Sequence, residues 1–397
     1  MLEGVRVLEL ADAADMAAAS AHCARILADL GADVVKAEPP GGDPLRATPP
    51  YADGRPGPDR SLVWIALNAN KRGIVLDRRT AEGARLFRAL VERSDVVVTA
   101  DRALDRAALA SWNDQVVLTT VTPYGVTGPL AGVPASDLEV TAASGSLWLA
   151  GEPGGPPVRT TLPQSALWAG MYSAVGTLLA LLARPSVGAG QAVDTSAQAS
   201  MVTVHPPAPV FWDVLGEEHR RLGPHLLGRS IVGARFRNVW PCRDGYVSFA
   251  IQGGAIGRHT GRQLAAWMRE RGRTGAAILD VDWDAFDNRT LTQEEVDRLE
   301  AEVAEFLLTL TKAEFFKGVI ERNMLGYPVS SAPDVYADEQ LRARSFWQVV
   351  PLPALDRSLA FPGGFALFDG ERPAIRRAPP RLGEHTHEVT AEVGARV

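Results

Sequence analysis

Short β-branched apolar runs alternate with helical patterns through roughly the first hundred residues, the sequence signature of parallel βαβ units. Residues 5–10 predict a strand, 16–30 a helix ended by Gly31, and 33–37 a second strand. Residues 74–76, 81–93 and 95–99 repeat strand, helix and strand. Another strand at 115–122 runs into Pro123-Tyr124-Gly125, a loop placed where α/β folds hold ligands. From Thr141 small residues dominate, and 167–182 predicts a strongly apolar helix stopped by Arg184-Pro185. Residues 206–224 mix prolines with charges and predict a linker. Beyond it, 236–240 and 246–251 predict a hairpin across Arg243-Asp244-Gly245. A helix near 262–271, an acidic stretch at 280–305, a helix over 313–322 and a loop-rich segment from 328 to 397 follow.

With 397 residues, 46% of them hydrophobic, the chain is long enough for two domains. A net charge of −6, with Lys and Arg scattered, offers no general attraction to nucleic acid or to an anionic membrane surface. The uncharged run at 160–183 reaches membrane-spanning length, but Pro163, Gln164, Ser165, Tyr172 and Ser173 within it favour a buried core helix. Cys23 and Cys242, far apart, provide neither a disulfide framework nor zinc-ligand spacing, which suits a reducing, cytoplasmic setting. The N-terminus carries no secretion pattern.

No P-loop, no glycine fingerprint after the first strand and no Gly-x-Ser-x-Gly elbow occurs, which argues against nucleotide hydrolysis, dinucleotide redox chemistry and α/β-hydrolase chemistry. His385 and His387 read as a solvated surface, not a metal site, and no metal is expected. His22, near the start of the first helix, reads either as facing a ligand or as a satisfied core histidine. Lys71, Arg72, Arg78 and Arg79 bracket one strand, and Arg102 and Arg106 follow another. Such clusters are usually solvated faces, although their positions also suit the phosphates of a nucleotide-like cofactor, which guanidinium groups grip by charge-assisted bonds.

Several segments together resemble the class III CoA-transferase family, which includes formyl-CoA transferase, carnitine-type CoA-transferases and α-methylacyl-CoA racemase. They are the run from Leu2 to Leu10, that from Cys23 to Arg46, Asn70-Lys71-Arg72-Gly73-Ile74-Val75-Leu76-Asp77, Tyr124 to Pro129, Gly188 to Asp194, and Pro380 to His385. The resemblance implies an α/β fold: a Rossmann-like large domain built from both chain ends (1–205 and 328–397) and a smaller inserted α+β domain (225–327), in an interlocked dimer. It also implies that coenzyme A, as an acyl-CoA thioester, and a carboxylic acid are the substrates. Carried over position by position, the CoA contacts fall on Leu76 beside the adenine, on Arg79 and on Arg106, with Lys71 and Arg72 matching the family's Asn-Lys-Arg stretch.

Departures from the family pattern set the functional question. Family transferases attack the thioester with an aspartate, which then stores CoA as an aspartyl thioester. Here that position is Ala166, and no Asp or Glu occurs between Glu152 and Asp194. The histidine of the racemase branch corresponds to Ser136, just before Asp137, and the family's Asn-Phe pair reads Ala100-Asp101. Three readings remain. The chain is a CoA-transferase subunit, in a homodimer or heterodimer, with an Asp-bearing homologue as partner; or a non-catalytic acyl-CoA-binding pseudoenzyme; or it runs another, racemase-like reaction, with Ser165 or water in the carboxylate's place. Ser165 has no base partner evident in sequence, and a lone serine is a poor nucleophile.

Overall fold

Strands β1 (Arg6–Leu10), β2 (Asp33–Glu38), β3 (Lys71–Val75), β4 (Val96–Thr99), β5 (Val117–Thr122) and β6 (Ala192–Ser196) pair in parallel in the order β3-β2-β1-β4-β5-β6. The computed structural model describes residues 1–11, 15–205, 207–229 and 232–394. Such a sheet is covered on both faces, which is why strands such as Val-Val-Val-Thr in β4 are wholly buried. Alternate residues serve opposite faces. In β1, Leu8 and Leu10 join Leu86 and Phe87, while Val7 joins Leu27, Ala174 and Ala180.

Around this sheet run α1 (Ala17–Asp29), α2 (Leu62–Asn68), α3 (Ala81–Glu92), α4 (Arg106–Ala110), α5 (Asp137–Ala143), α7 (Ser165–Val187) and α8 (Ala197–Val204), while the short α6 (Ser146–Leu149) falls at the division between the two units of the chain. Small residues let α1 and α7 approach closely: a Cβ on Gly170 would stand 2.7 Å from the Ala19 carbonyl oxygen. Against expectation, α7 continues past Arg184 and holds Pro185 inside its last turn, ending where Gly188 takes a left-handed φ of 78° and donates to the Arg184 carbonyl. A proline so near the end removes one helical bond without breaking the turns that carry the packing. The helix has the length and composition of a membrane span, yet Ala169, Gly170, Ser173, Ala174 and Thr177 are buried.

The chain divides into two compact units, Met1–Ser146 with Thr160–His205 and Glu339–Val397, and Leu147–Arg159 with Pro206–Asp338. The second contains α9 (Pro207–Leu215), β7 (His225–Arg229), β8 (Val232–Arg237), β9 (Val239–Cys242), β10 (Gly245–Ser248), α10 (Gly254–Glu270), α11 (Gln293–Leu307), α12 (Lys312–Glu321), β11 (Tyr327–Pro328) and α13 (Ala332–Ala337). Its core joins Trp240, Val247, Trp267, Phe306 and Phe315. The stretch read as a linker is therefore partly helical: Pro209 sits in the first turn of α9, where N–H groups lack intrahelical acceptors anyway. The hairpin forms between β9 and β10 across Arg243 and Asp244, whereas Phe236, expected in it, belongs to β8 and pairs with β7.

In the first unit the chain continues with α14 (Glu339–Ala343), the hairpin β12 (Trp347–Leu352) and β13 (Arg357–Pro362), and α15 (Thr386–Glu392). The segment before α15 closes the exposed edge of β3. His385 N–H donates to Gly73 O (2.8 Å), Gly73 N–H donates to His385 Nδ1 (3.2 Å), and Val75 N–H donates to Thr386 Oγ1 (3.1 Å). His385, expected on a solvated face, thus serves the sheet and protects an edge that would otherwise invite pairing. The fit needs a glycine at 73, since a Cβ there would lie 3.0 Å from Pro380.

Candidate active site

Strand order reverses between β1 and β4, and in doubly wound sheets the crevice beyond the strand ends at such a point is where ligands bind. The residues leaving these strands converge there with the start of α7. Met16, Ala100, Val121, Val140 and Ala166 pack in one apolar cluster, and Ala166 is only 7% exposed. The methyl at position 166 can neither attack a thioester nor carry an acyl group. On the same side, the Asp194 carboxylate of β6 accepts the Val126 N–H (3.1 Å) and so ties down the loop after β5. Asp101, in the altered pair after β4, accepts from Arg78 Nη2 (2.9 Å).

The carboxylate nearest this turn comes from another helix. Asp137 Oδ1 accepts the Gln164 N–H (2.8 Å), the Ser165 N–H (2.7 Å) and the Ser165 hydroxyl (2.8 Å). Sequence reasoning weighed Ser165 alone and had no signal to join it to Asp137. Ser165 is fully buried and donates to a carboxylate, an arrangement that serves as an anchor for the turn.

The carried-over CoA contacts are not all brought together. Leu76 is buried just beyond β3 and lines a cavity of about 560 Å³ with Asp77, Thr80, Leu86 and Thr386. Arg79 is not among the residues that line it; the side chain is 84% exposed and donates from Nε (2.8 Å) and Nη2 (2.9 Å) to Asp77, which holds that carboxyl below its usual range. Arg106 begins α4 and turns back to donate from Nη2 to the Asp114 carbonyl (2.7 Å), while its Nε is buried without a hydrogen-bond partner. Arg102 donates to the Ala131 carbonyl at 3.4 Å.

Lys71 and Arg72 are placed elsewhere, inside β3, which begins three residues before the apolar run 74–76 that predicts it. Lys71 is fully buried, ion-paired with Glu9 Oε2 (2.7 Å), and donates to Ala21 O and Asn68 Oδ1 (both 2.9 Å). Glu9 also pairs with Lys36, which pairs in turn with Asp43 (2.6 Å), so two ammonium groups balance two carboxylates in the interior. Burial pushes the Glu9 carboxyl up, but Lys36 and Lys71 outweigh it and leave the group below its usual range. Burial, only partly offset by Glu9, lowers Lys71 to about 8. Arg72 pairs with Asp33 (2.6 Å), Glu388 (2.9 Å) and Glu392 (2.7 Å), fastening α15 to the sheet edge. Both side chains brace the sheet and present no group to a ligand. His22 is half-buried: its Nδ1–H donates to Leu167 O (3.1 Å), burial lowers its pKa, and it lines a pocket with Ile65 and Phe361.

Comparison with known proteins adds the family context. Residues 2–386 match the model of CoA-transferase family III. The chain is 34% identical to the succinyl-CoA:(R)-benzylsuccinate CoA-transferase subunit BbsE of Thauera aromatica, over 94% of this chain and 90% of that protein. It is 30% identical to the succinyl-CoA–L-malate CoA-transferase beta subunit of Chloroflexus aurantiacus, over 99% and 94%. The crystal structure of a CAIB/BAIF family protein from Brucella suis superposes with a TM-score of 0.81 at 25% identity, covering 99% of both chains.

Proposed function

The chain belongs to CoA-transferase family III, and from that premise we propose that it is a cytoplasmic transferase subunit that binds an acyl-CoA thioester and acts beside a partner chain bearing the aspartate its own site lacks. One observation carries this reading: the crevice, its pinned loops and the capped start of α7 are all present around Ala166, where the reaction needs a carboxylate. Loss of the chemistry with retention of the surroundings is what a subunit in a two-chain enzyme can tolerate. Relatives support it, since BbsE and the malate CoA-transferase beta chain are both named as subunits.

Within this reading, Leu76 seats the adenine end, and Arg79 and Arg106 meet phosphate oxygens, each releasing a weak internal bond to do so. The assembly is an interlocked dimer, homomeric or heteromeric. Its cover would shield the outer face of α7, where Val175, Leu179 and Leu182 are 52%, 60% and 78% exposed.

The test is to purify the native complex, identify its chains by native mass spectrometry, and incubate it with succinyl-CoA and candidate carboxylates. Hydroxylamine then converts any aspartyl-CoA thioester into an aspartyl hydroxamate on the protein, releasing CoA, for peptide mapping. The expected label lies on an aspartate of the partner and nowhere on this chain, which alone transfers nothing. Robust transfer by this chain alone, with a label on one of its own carboxylates, would overturn the proposal. A folded complex that binds CoA and never transfers it would favour the pseudoenzyme reading.

A further inference from the structure

We infer that Asp137 is a positioning residue for the turn that carries position 166, so that this chain keeps the frame of a catalytic site and lacks only its nucleophile. The inference rests on the transferase reading above. Three observations converge on it. Helix α5 does not need the Asp137 carboxylate, because a capping box already closes its first turn: Ser136 Oγ accepts the Leu138 N–H and Glu139 Oε2 accepts the Ser136 N–H (2.8 Å). Helix α7 does need a cap, because Gln164, the residue before it, makes no side-chain capping bond. The Asp137 carboxylate fills that need from 28 residues away, taking the N–H groups of Gln164 and Ser165 and the Ser165 hydroxyl on one oxygen.

A negative charge at this end of a long helix is favoured by the aligned peptide dipoles. The geometry matters more than the charge. Two main-chain donors and a side-chain donor from adjacent residues, all held by one atom, leave the turn little freedom to rotate. The next residue is Ala166, whose Cβ is thereby aimed into the cluster with Met16 and Ala100, the residues beyond β1 and β4. A side chain at 166 inherits this aim whether or not it can react. The acceptor at 137, not the identity of residue 166, therefore sets the direction of the site, and misplacement of a reacting group by a small distance is costly to rate.

Two measurements on the full chain in its native complex test this. In hydrogen–deuterium exchange, Asp137→Ala speeds the amides of residues 164 and 165 by about tenfold, the usual scale for a lost cap, while the middle of α7 stays protected. Asp137→Asn, which keeps an acceptor oxygen, restores protection. In an Ala166→Asp background with succinyl-CoA, hydroxylamine-trapped label at position 166 falls by about tenfold or more per folded molecule with Asp137→Ala and returns with Asp137→Asn, while CoA affinity by calorimetry is unchanged. Unaltered exchange at 164 and 165 in Asp137→Ala would overturn the inference, as would label loss no greater than the loss of folded protein. If Ala166→Asp takes no label beside an intact Asp137, the frame is not retained and the inference fails. CoA binding in that same sample shows whether the transferase reading survives, since loss of binding would sink both.

Discussion

Replacing Lys71 by methionine separates a brace from a ligand contact. The ammonium is fully buried and holds Glu9 Oε2 at 2.7 Å and the oxygens of Ala21 and Asn68 at 2.9 Å. With it gone, Glu9 and Asp43 face only Lys36, leaving the interior one negative charge out of balance and the Glu9, Asn68 and Ala21 oxygens each one donor short. Breaking a buried pair from one side costs about 3–5 kcal/mol, a large share of the roughly 5–15 kcal/mol that keeps a domain folded. Removing both partners is milder, because Glu9→Gln with Lys71→Met leaves Lys36 against Asp43 in balance. The double variant should therefore be more stable than Lys71→Met alone, a coupling that a double-mutant cycle reads directly. Urea denaturation of the four proteins supplies the free energies, and calorimetry with CoA supplies the affinities. A brace predicts a large stability loss, recovery in the double variant and near-normal CoA affinity in whatever remains folded. Wild-type stability in Lys71→Met together with lost CoA affinity would refute the reasoning and return Lys71 to the ligand site.

The same lysine has a pH signature. Its folded value of about 8 lies below its ordinary 10.5, so across that window the unfolded chain binds the proton and the folded one does not, and stability from this group rises with pH. The stability gap between wild type and Lys71→Met should thus widen from pH 8 towards 10.5 in denaturant titrations; a gap that narrows would contradict it. Gly170→Ala forces a methyl to within 2.7 Å of the Ala19 carbonyl and should cost about 1–3 kcal/mol in thermal unfolding, with no gain from any side chain small enough to fit. Arg72→Ala removes the link from β3 to Glu388 and Glu392, so α15 should exchange its amides faster while the central strands do not; unchanged exchange in α15 would count against that link.

Local pattern was enough to read β1, α1, β2, α3, β4, β5 and α7, because buried parallel strands are continuous apolar runs and helices carry their own period, but not α2, β6, or the β12–β13 hairpin and α15 within the stretch read as loop-rich. Covalent identity alone fixes that residues 153–193 contain no Asp or Glu, so no carboxylate belongs to position 166 itself. What sequence misread were charges and prolines whose meaning depends on distant partners. Lys71 and Arg72 looked like a solvated face or a phosphate grip until Glu9, Asp33, Glu388 and Glu392 were brought beside them. Pro185 and Pro209 looked like breaks, although Pro209 falls in a first turn whose N–H groups lack acceptors and Pro185 so near the helix end that only one helical bond is lost. His385 looked exposed until its ring met the Gly73 N–H across 312 residues of chain. The pairing of Asp137 with Ser165 belongs to the same class. A hydrogen bond is specified by direction and a few tenths of an ångström, and between separate segments only the packed tertiary structure fixes either.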